Sequence, residues 1–204
     1  MKLKKKPSQA RAQETLDKII SAANAVMLRD GIQKLTIRKV AIEAGLGVGS
    51  IYDYFPNKQA LLEGICEQRL SARIELFDKT MLQQGNQSSL SDNMTAYDQA
   101  TRQQGLTSKI GPELRNASES NPGLKAIVSK YERLFISRMA DLVARQAPNM
   151  PEEKRFLLAT FILNIDFTLL RLLHTATDDE GQYYKTLQRK VHAFLINIAS
   201  QEDA

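Results

Sequence analysis

Apolar residues recur along this chain at spacings of three and four positions, and the strict alternation typical of strands is scarce. The first apolar stripe predicts a helix over residues 9–29, and Gly31 follows it as a stop signal. Further stripes predict helices over residues 37–44, 48–55, 58–81, 92–104, 121–145, 151–176 and 181–200. The chain is therefore predicted to be all-α, with eight or nine helices.

Residues 36–55 have the spacing of a helix-turn-helix. Thr36 can cap the helix over residues 37–44, and Gly45 fits the left-handed position that ends many helices. Only three residues separate that helix from the next, and two short helices joined by a tight turn with glycine form this motif. The spacing predicts five apolar residues as its core: Ile37, Val40, Ala41, Ile51 and Phe55.

The formal net charge of +5 is distributed unevenly over the 204 residues. Residues 1–62 carry 11 Lys and Arg against 5 Asp and Glu, a net charge of +6, whereas the remainder has a net charge of −1. This split indicates that the first part of the chain meets a polyanion such as DNA. The alternative is a solvated basic tail, because Lys2 and Lys4 to Lys6 supply four of those charges.

Composition argues against several classes of protein. With 43% hydrophobic and 25% charged residues, the chain has the composition of a globular protein and not of a disordered or collagen-like one. The longest nearly apolar stretch, residues 156–173, contains Asn164, Asp166 and Arg171, so a buried helix is favoured over a membrane span, and no signal peptide is predicted. A single cysteine, Cys66, is consistent with a reducing, cytoplasmic environment.

Catalytic chemistry has little support in the sequence. The chain has two histidines, one cysteine and no Gly-rich phosphate loop, so we expect neither an enzyme nor a bound cofactor or metal. His174 and Asp178 stand four residues apart and could bind a metal, but the end of a fraying helix is the favoured explanation.

The helix-turn-helix region closely resembles a known family. Residues 36–62 read TIRKVAIEAGLGVGSIYDYFPNKQALL and, with Arg11, Ala22, Ala23 and Gly31 upstream, are similar to the DNA-binding domain of the TetR family of bacterial transcription regulators. The resemblance implies an N-terminal three-helix helix-turn-helix domain and a larger helical domain for ligand binding and dimerisation. We therefore expect a disordered basic tail over residues 1–8, the DNA-binding domain over 9–56 and the regulatory domain over 57–204.

The recognition helix must let its first side chains approach base edges in the major groove. Val48, Gly49 and Ser50 are small enough, and Ser50 can bond a base or a phosphate. The resemblance implies backbone contacts from Thr36, Tyr52, Tyr54 and Lys58, and a base or phosphate contact from Arg38. The two tyrosines could instead be packing residues. The predicted DNA-binding residues are Thr36, Arg38, Val48, Gly49, Ser50, Tyr52, Tyr54 and Lys58.

Two residues depart from the family pattern. Gly47 stands where Ser or Thr commonly caps the recognition helix, and glycine is a slightly weaker cap. Asp53 lies on the same short segment, where phosphates repel it unless it accepts a hydrogen bond from a cytosine amino group.

The last two predicted helices suit a dimer interface. Residues 156–173 are apolar on more than one side, so they must be buried on two sides. The resemblance implies a homodimer in which these helices pack against their copies, and two recognition helices then read a palindromic operator in double-stranded DNA. In that interface Asp166 could pair with an Arg of the other copy.

The resemblance also implies a pocket for a small-molecule effector in the larger domain. Asn164 and Thr168 lie one turn apart and could hold a polar group of the ligand, although satisfied core or interface polar residues explain them too. Cys66 could act as a redox sensor or simply as a small apolar residue. The candidate lining residues are Cys66, Tyr97, Tyr131, Phe135, Met139, Asn164, Phe167, Thr168 and Arg171.

The sequence thus predicts a DNA-binding transcriptional regulator of the bacterial cytoplasm, acting as a ligand-responsive repressor. A regulator controlled by a protein partner, or acting constitutively without an effector, is the alternative, and an enzyme is a remote one.

Overall fold

The computed structural model describes residues 6–85, 88–106, 109–173 and 176–201, and these residues form helices without any strand. The order confirms the all-α prediction. The helices are α1 (Lys6–Asp30), a 3-10 turn (Ile32–Lys34), α2 (Ile37–Ala44), α3 (Val48–Tyr52), α4 (Lys58–Gln84), α5 (Leu90–Gln103), α6 (Ile110–Ser118), α7 (Pro122–Gln146), α8 (Glu152–Leu173) and α9 (Asp178–Gln201).

The ends of α2 form as the sequence predicts. The Thr36 hydroxyl oxygen accepts a hydrogen bond from the Lys39 N–H at 3.2 Å, which satisfies one of the free donors in the first turn. Gly45 has φ 63° and ψ 36°, and the Leu46 N–H bonds back to the Ala41 carbonyl at 3.0 Å. This is the Schellman arrangement, in which a left-handed glycine closes a helix.

The other helix ends lie within three residues of the prediction, and the structure departs from it further at α1, α3 and α6. The recognition helix α3 ends at Tyr52 and not at residue 55, because residues 53 and 54 turn so that Phe55 enters the core. Helix α6 lies in a stretch to which we assigned no helix, since its apolar stripe is short. Helix α1 begins at Lys6, within the expected tail over residues 1–8, because Pro7 is tolerated in a first helical turn. Residues 1–5, with Lys2, Lys4 and Lys5, lie outside the described residues.

The first compact unit comprises residues 1–69 and 108–128. Its core contains the five predicted residues of the helix-turn-helix, all buried, and a fully buried Val, Ile or Phe side chain contributes about 1.5–3 kcal/mol to folding. Helices α1, α4, α6 and the start of α7 complete it with Ile19, Ala23, Val26, Met27, Leu61, Ile65, Ile110 and Leu124.

The second compact unit comprises residues 70–107 and 129–204. Its core contains Phe77, Leu90, Tyr97, Met139, Val143, Ala159 and Ile162. One buried polar group is His192 of α9, whose Nε2 lies 3.0 Å from an Asp166 carboxylate oxygen on α8. The Gln188 amide donates to the same oxygen at 2.6 Å. Asp166 therefore has hydrogen-bond partners within its own chain and does not need an Arg of a second copy.

These compact units are defined by which residues contact each other, and α6 and the start of α7 belong with the N-terminal helices. The division into residues 9–56 and 57–204 is a functional one and stays a prediction. Within the described ranges, no helix has both the length and the apolar content of a membrane span.

Replacing Gly45 by Ala tests the turn between α2 and α3. Since L-residues are disfavoured in the left-handed region, we expect Gly45→Ala to lower the free energy of unfolding by about 1–2 kcal/mol. The matched control is Gly49→Ala, because Gly49 is helical with open space around its Cα. Chemical denaturation should show the control equal to or more stable than wild type, and equal stability of Gly45→Ala would refute the role of the turn.

Candidate nucleic-acid interface

The buried side of α3 determines what its other side presents to solvent. Ile51 is fully buried, whereas Val48 and Tyr52, one turn apart, are 41% and 51% exposed. Gly49 is exposed and Ser50 is half-buried. The start of the short helix is therefore open to an approaching DNA groove, as base readout requires.

The basic residues around this face are not equivalent. An Arg29 amino group lies 2.8 Å from a Glu43 carboxylate oxygen, and the Lys39 ammonium lies 2.7 Å from Asp30. The hydrogen bond from Lys39 lowers the pKa of Asp30 below its usual range. Arg38 is exposed on α2, and no carboxylate in the described ranges forms an ion pair with it. Its guanidinium is thus available to a base or phosphate.

Lys58 and Thr36 hold the segment that leads into α2. The Lys58 ammonium donates to the Gln33 carbonyl at 3.1 Å, which uses one of its three N–H donors. The Thr36 hydroxyl accepts from the backbone, so its proton remains for a phosphate. Both side chains can therefore support the fold and still donate to DNA.

The remaining predicted residues differ in exposure. Tyr52 is half exposed, which argues against a purely packing role, whereas Tyr54 is half-buried and fits both readings. Asp53 is exposed at the end of α3. Gly47 precedes α3 in an extended conformation and makes no side-chain cap, as expected from its missing side chain.

Sequence reasoning missed Glu113 of α6. A carboxylate oxygen of Glu113 accepts a hydrogen bond from the Ile32 N–H at 2.9 Å, across 81 residues of sequence. The 3-10 turn is therefore held at its start by Glu113 and near its end by Lys58. Because this turn leads directly to Thr36, Glu113 helps to position the DNA-facing residues. No local pattern signals such a contact.

The candidate effector residues fall into separate groups. Tyr97 and Phe135 contact each other in the second unit, with ring centroids 6.1 Å apart, and Tyr131 and Met139 are buried in the same unit. Cys66 is buried in the first unit, and burial raises the pKa of its thiol to about 11. A thiol with so little thiolate is a poor nucleophile, which favours the small apolar residue over the redox sensor.

Asn164 and Thr168 are exposed on α8, so they do not line an enclosed pocket within the chain. The interface explanation fits them better, because they lie between exposed apolar residues of the same helix. Phe167 is half-buried. The side chain of Arg171, and all of His174, lie outside the described residues. The exposed apolar residues of α8 are Phe156, Leu157, Phe161 and Leu172.

Helix α9 carries a second exposed apolar stripe. Its members follow helical spacing: Tyr183, Leu187, Phe194 and Ile198. We call this set and the exposed α8 residues the α8–α9 face. Exposed large apolar side chains on two helices that contact each other are typical of an interaction site.

A hollow of about 420 Å³ lies on the first unit between α1 and α2, lined by Asp17, Lys18, Ser21, Ala22, Ala25, Glu43 and Ala44. It includes none of the candidate effector residues. In the described part of the chain, no three His, Cys, Asp or Glu side chains come together as a metal site.

Comparison with known proteins identifies the helix-turn-helix region. The family model described as bacterial regulatory proteins, tetR family, matches residues 19–65. A nucleoid occlusion factor, SlmA of Actinobacillus pleuropneumoniae, is 23% identical over 198 residues, which cover 97% of this chain and 81% of that protein.

Solved structures share the fold over most of the chain. A transcriptional regulator of Rhodococcus sp. Rha1 superposes with a TM-score of 0.75 at 11% identity, covering 90% of this chain and 97% of that one. The multidrug binding protein EbrR, in complex with imidazole, gives a TM-score of 0.63 at 20% identity, with 87% and 89% covered. At these identities the similarity establishes the fold alone.

Removing the Glu113 carboxylate tests its positioning role. We expect Glu113→Ala to lower the free energy of unfolding by about 1 kcal/mol, since it leaves the N–H of the buried Ile32 without its acceptor. DNA affinity should fall as well, and Glu113→Gln, which keeps an acceptor, should restore most of both. Glu119→Ala, at an exposed position following α6, is the control. Denaturation and fluorescence anisotropy measure the effects, and an unchanged Glu113→Ala variant would exclude the role.

Proposed function

Because the chain belongs to the TetR family of DNA-binding transcriptional regulators, we propose that it is a ligand-responsive repressor that binds a palindromic operator as a homodimer. The proposal places it in the bacterial cytoplasm, where its DNA lies. The observation that carries it is the exposed side of α2 and α3, whose opposite side is fully buried.

This exposed side has the chemistry that DNA recognition needs. The guanidinium fork of Arg38, which no carboxylate of the described ranges engages, matches O6 and N7 of guanine. Ser50 can bond a base edge or a phosphate, and Val48 can contact a thymine methyl. Tyr52, Lys58 and Thr36 supply phosphate donors, which set the register of the protein on the duplex. Arg29 and Lys39 are engaged in ion pairs and add less to this surface.

The α8–α9 face supports the homodimer. Phe161 is 54% exposed and Phe194 is 61% exposed in the single chain, and burying rings of this size against a second copy is strongly favourable. A C2 dimer uses the same surface on both copies, so one exposed apolar stripe on each of α8 and α9 is enough to form both sides of the interface. Two recognition helices about 34–36 Å apart then read half-sites separated by one turn of DNA.

An effector acts on such a protein only if it prefers the conformation that does not bind DNA. We assign the effector site to the second unit, around Tyr97 and Phe135. The similarity to a multidrug binding protein is consistent with a small organic ligand. Repression follows when the dimer occupies an operator that overlaps a promoter, and ligand binding releases it.

Substitutions of the DNA-facing residues separate backbone contacts from base readout. Tyr52→Phe and Lys58→Ala should weaken binding of all sequences about equally, because a phosphate contact carries no sequence information. Arg38→Ala should cost about 1–3 kcal/mol of discrimination at one base position, and Ser50→Ala should likewise change base preference. Selection from a randomised duplex library, followed by anisotropy at fixed salt, measures both effects.

The control for these variants is Lys18→Ala, a basic residue of α1 on the hollow and away from the predicted set. It should leave base preference and affinity near wild type. The starting duplex is the intergenic DNA beside the chain's own gene and any divergently transcribed neighbour. If Arg38→Ala keeps the wild-type preference at every position, Arg38 does not read bases.

A charge in the α8–α9 face tests the dimer. We expect Phe194→Glu to give a monomer in light scattering at micromolar concentration and to lose operator affinity, because each half-site then binds alone. Leu82→Glu is the matched control, since Leu82 is 84% exposed on α4 and does not belong to that face. A monomeric wild type, or a dimeric Phe194→Glu variant, would contradict the assignment of the interface.

A further inference from the structure

Three aromatic rings from three helices meet inside the second unit. The Phe77 ring of α4 lies edge-on to Tyr97 of α5, at 5.1 Å between centroids, and to Phe135 of α7, at 5.8 Å. All three side chains are buried. We call Phe77, Tyr97 and Phe135 the aromatic cluster.

Arg73 of α4 places its guanidinium on this cluster. The guanidinium carbon lies 5.9 Å from the centre of the Tyr97 ring and 6.0 Å from that of Phe135. Arg73 is half-buried, and within the described ranges no Asp or Glu forms an ion pair with it. The ring faces therefore offset part of its charge.

Arg138 of α7, in the same unit, forms an ion pair with Asp78 and serves as a comparison for Arg73. Its Nε lies 2.7 Å from one Asp78 oxygen, and a terminal nitrogen lies 3.3 Å from the other. This is the two-point contact that guanidinium and carboxylate groups prefer. Arg73 has the same guanidinium group, but within the described ranges no carboxylate forms this contact with it.

The groups around Arg73 set the sign of the ligand charge. Tyr97 donates its hydroxyl to the Arg73 backbone carbonyl at 3.3 Å, and burial raises the pKa of this phenol, so it adds no negative charge. A cationic ligand on the rings would be repelled by Arg73. A carboxylate would instead complete the guanidinium fork, while its apolar part packs on the aromatic cluster.

A second polar group lies one helical turn away from Tyr97. Asn93 is 2% exposed, and its amide nitrogen donates to the Ser88 and Ser89 carbonyls. Its side-chain oxygen has no partner in the described part of the chain. Buried acceptors are usually satisfied, so this oxygen is the exception among the polar groups of α5 that the structure describes.

We propose that the effector site of the second unit takes an anionic ligand, namely a carboxylate with an apolar, ring-sized body, whose charge is bound by Arg73 and whose body packs on the aromatic cluster. This assignment rests on the proposed ligand-responsive function and specifies the class of effector.

The test compares two probes of equal size that differ in charge, 2-naphthoate and 2-naphthamide, by isothermal titration calorimetry on the full-length protein. Wild type should bind the acid about tenfold more tightly than the amide, as expected for a charge-assisted contact. Arg73→Met should lose this preference, because it lowers the affinity for 2-naphthoate and leaves that for 2-naphthamide unchanged. Arg73→Lys keeps the positive charge but loses the two-point guanidinium contact, so it should give an intermediate preference for the acid. This variant replaces Arg73→Met in the test if Arg73→Met does not fold.

Arg138→Met is the matched control and should keep the wild-type preference, because its guanidinium is already occupied by Asp78. Equal binding of acid and amide by wild type would overturn the proposal, as would a preference that survives in Arg73→Met or no binding of either probe at millimolar concentration. Operator binding is measured separately, without probes. Wild type that fails to select its operator refutes the proposed function, whereas selective DNA binding with equal probe affinities refutes the anionic site alone.

Discussion

The burial of Ile51 against the neighbouring helices is the constraint on which the DNA-facing surface depends. Helix α3 has five residues, too few to be stable alone, so packing must hold it in place. Once Ile51 and Phe55 enter the core, Val48 and Tyr52 can only face outward. The left-handed Gly45 sets the direction in which α3 leaves α2. The packing of Ile51 and Phe55 thus determines that Val48 and Tyr52 are exposed to DNA.

Charge acts on this surface more selectively than the sequence totals indicate. The first 62 residues have a net charge of +6, yet the structure pairs Arg29 with Glu43 and Lys39 with Asp30. Those ion pairs connect α1 to α2, and the guanidinium of Arg38 remains exposed to solvent. In the second unit the same contrast separates Arg138, which has a carboxylate, from Arg73, which lies on aromatic rings. In both places the functional candidate is the guanidinium that has no carboxylate partner within the described ranges.

Local sequence signals predicted local structure well. Thr36, Gly45 and the apolar spacing of residues 37–51 specify the helix-turn-helix, because caps and periodicity act within a few residues. The long-range contacts could not be predicted in this way. Nothing near Glu113 indicates that it reaches Ile32, and nothing near Arg73 indicates that its guanidinium meets rings from two other helices. Asn164 and Thr168 suggested a pocket by their spacing alone, which does not distinguish a pocket from an outer face.

Hydroxyl-radical footprinting on the intergenic DNA beside the chain's gene tests the central claim most directly. A dimer that presents α3 of both copies should protect two symmetric half-sites, centred about 10 base pairs apart or a multiple of this, on one face of the duplex. Affinity for this DNA should exceed that for a shuffled duplex of equal length by at least about a thousandfold at the same salt concentration. Uniform protection with equal affinity for both duplexes would contradict a sequence-specific dimeric regulator.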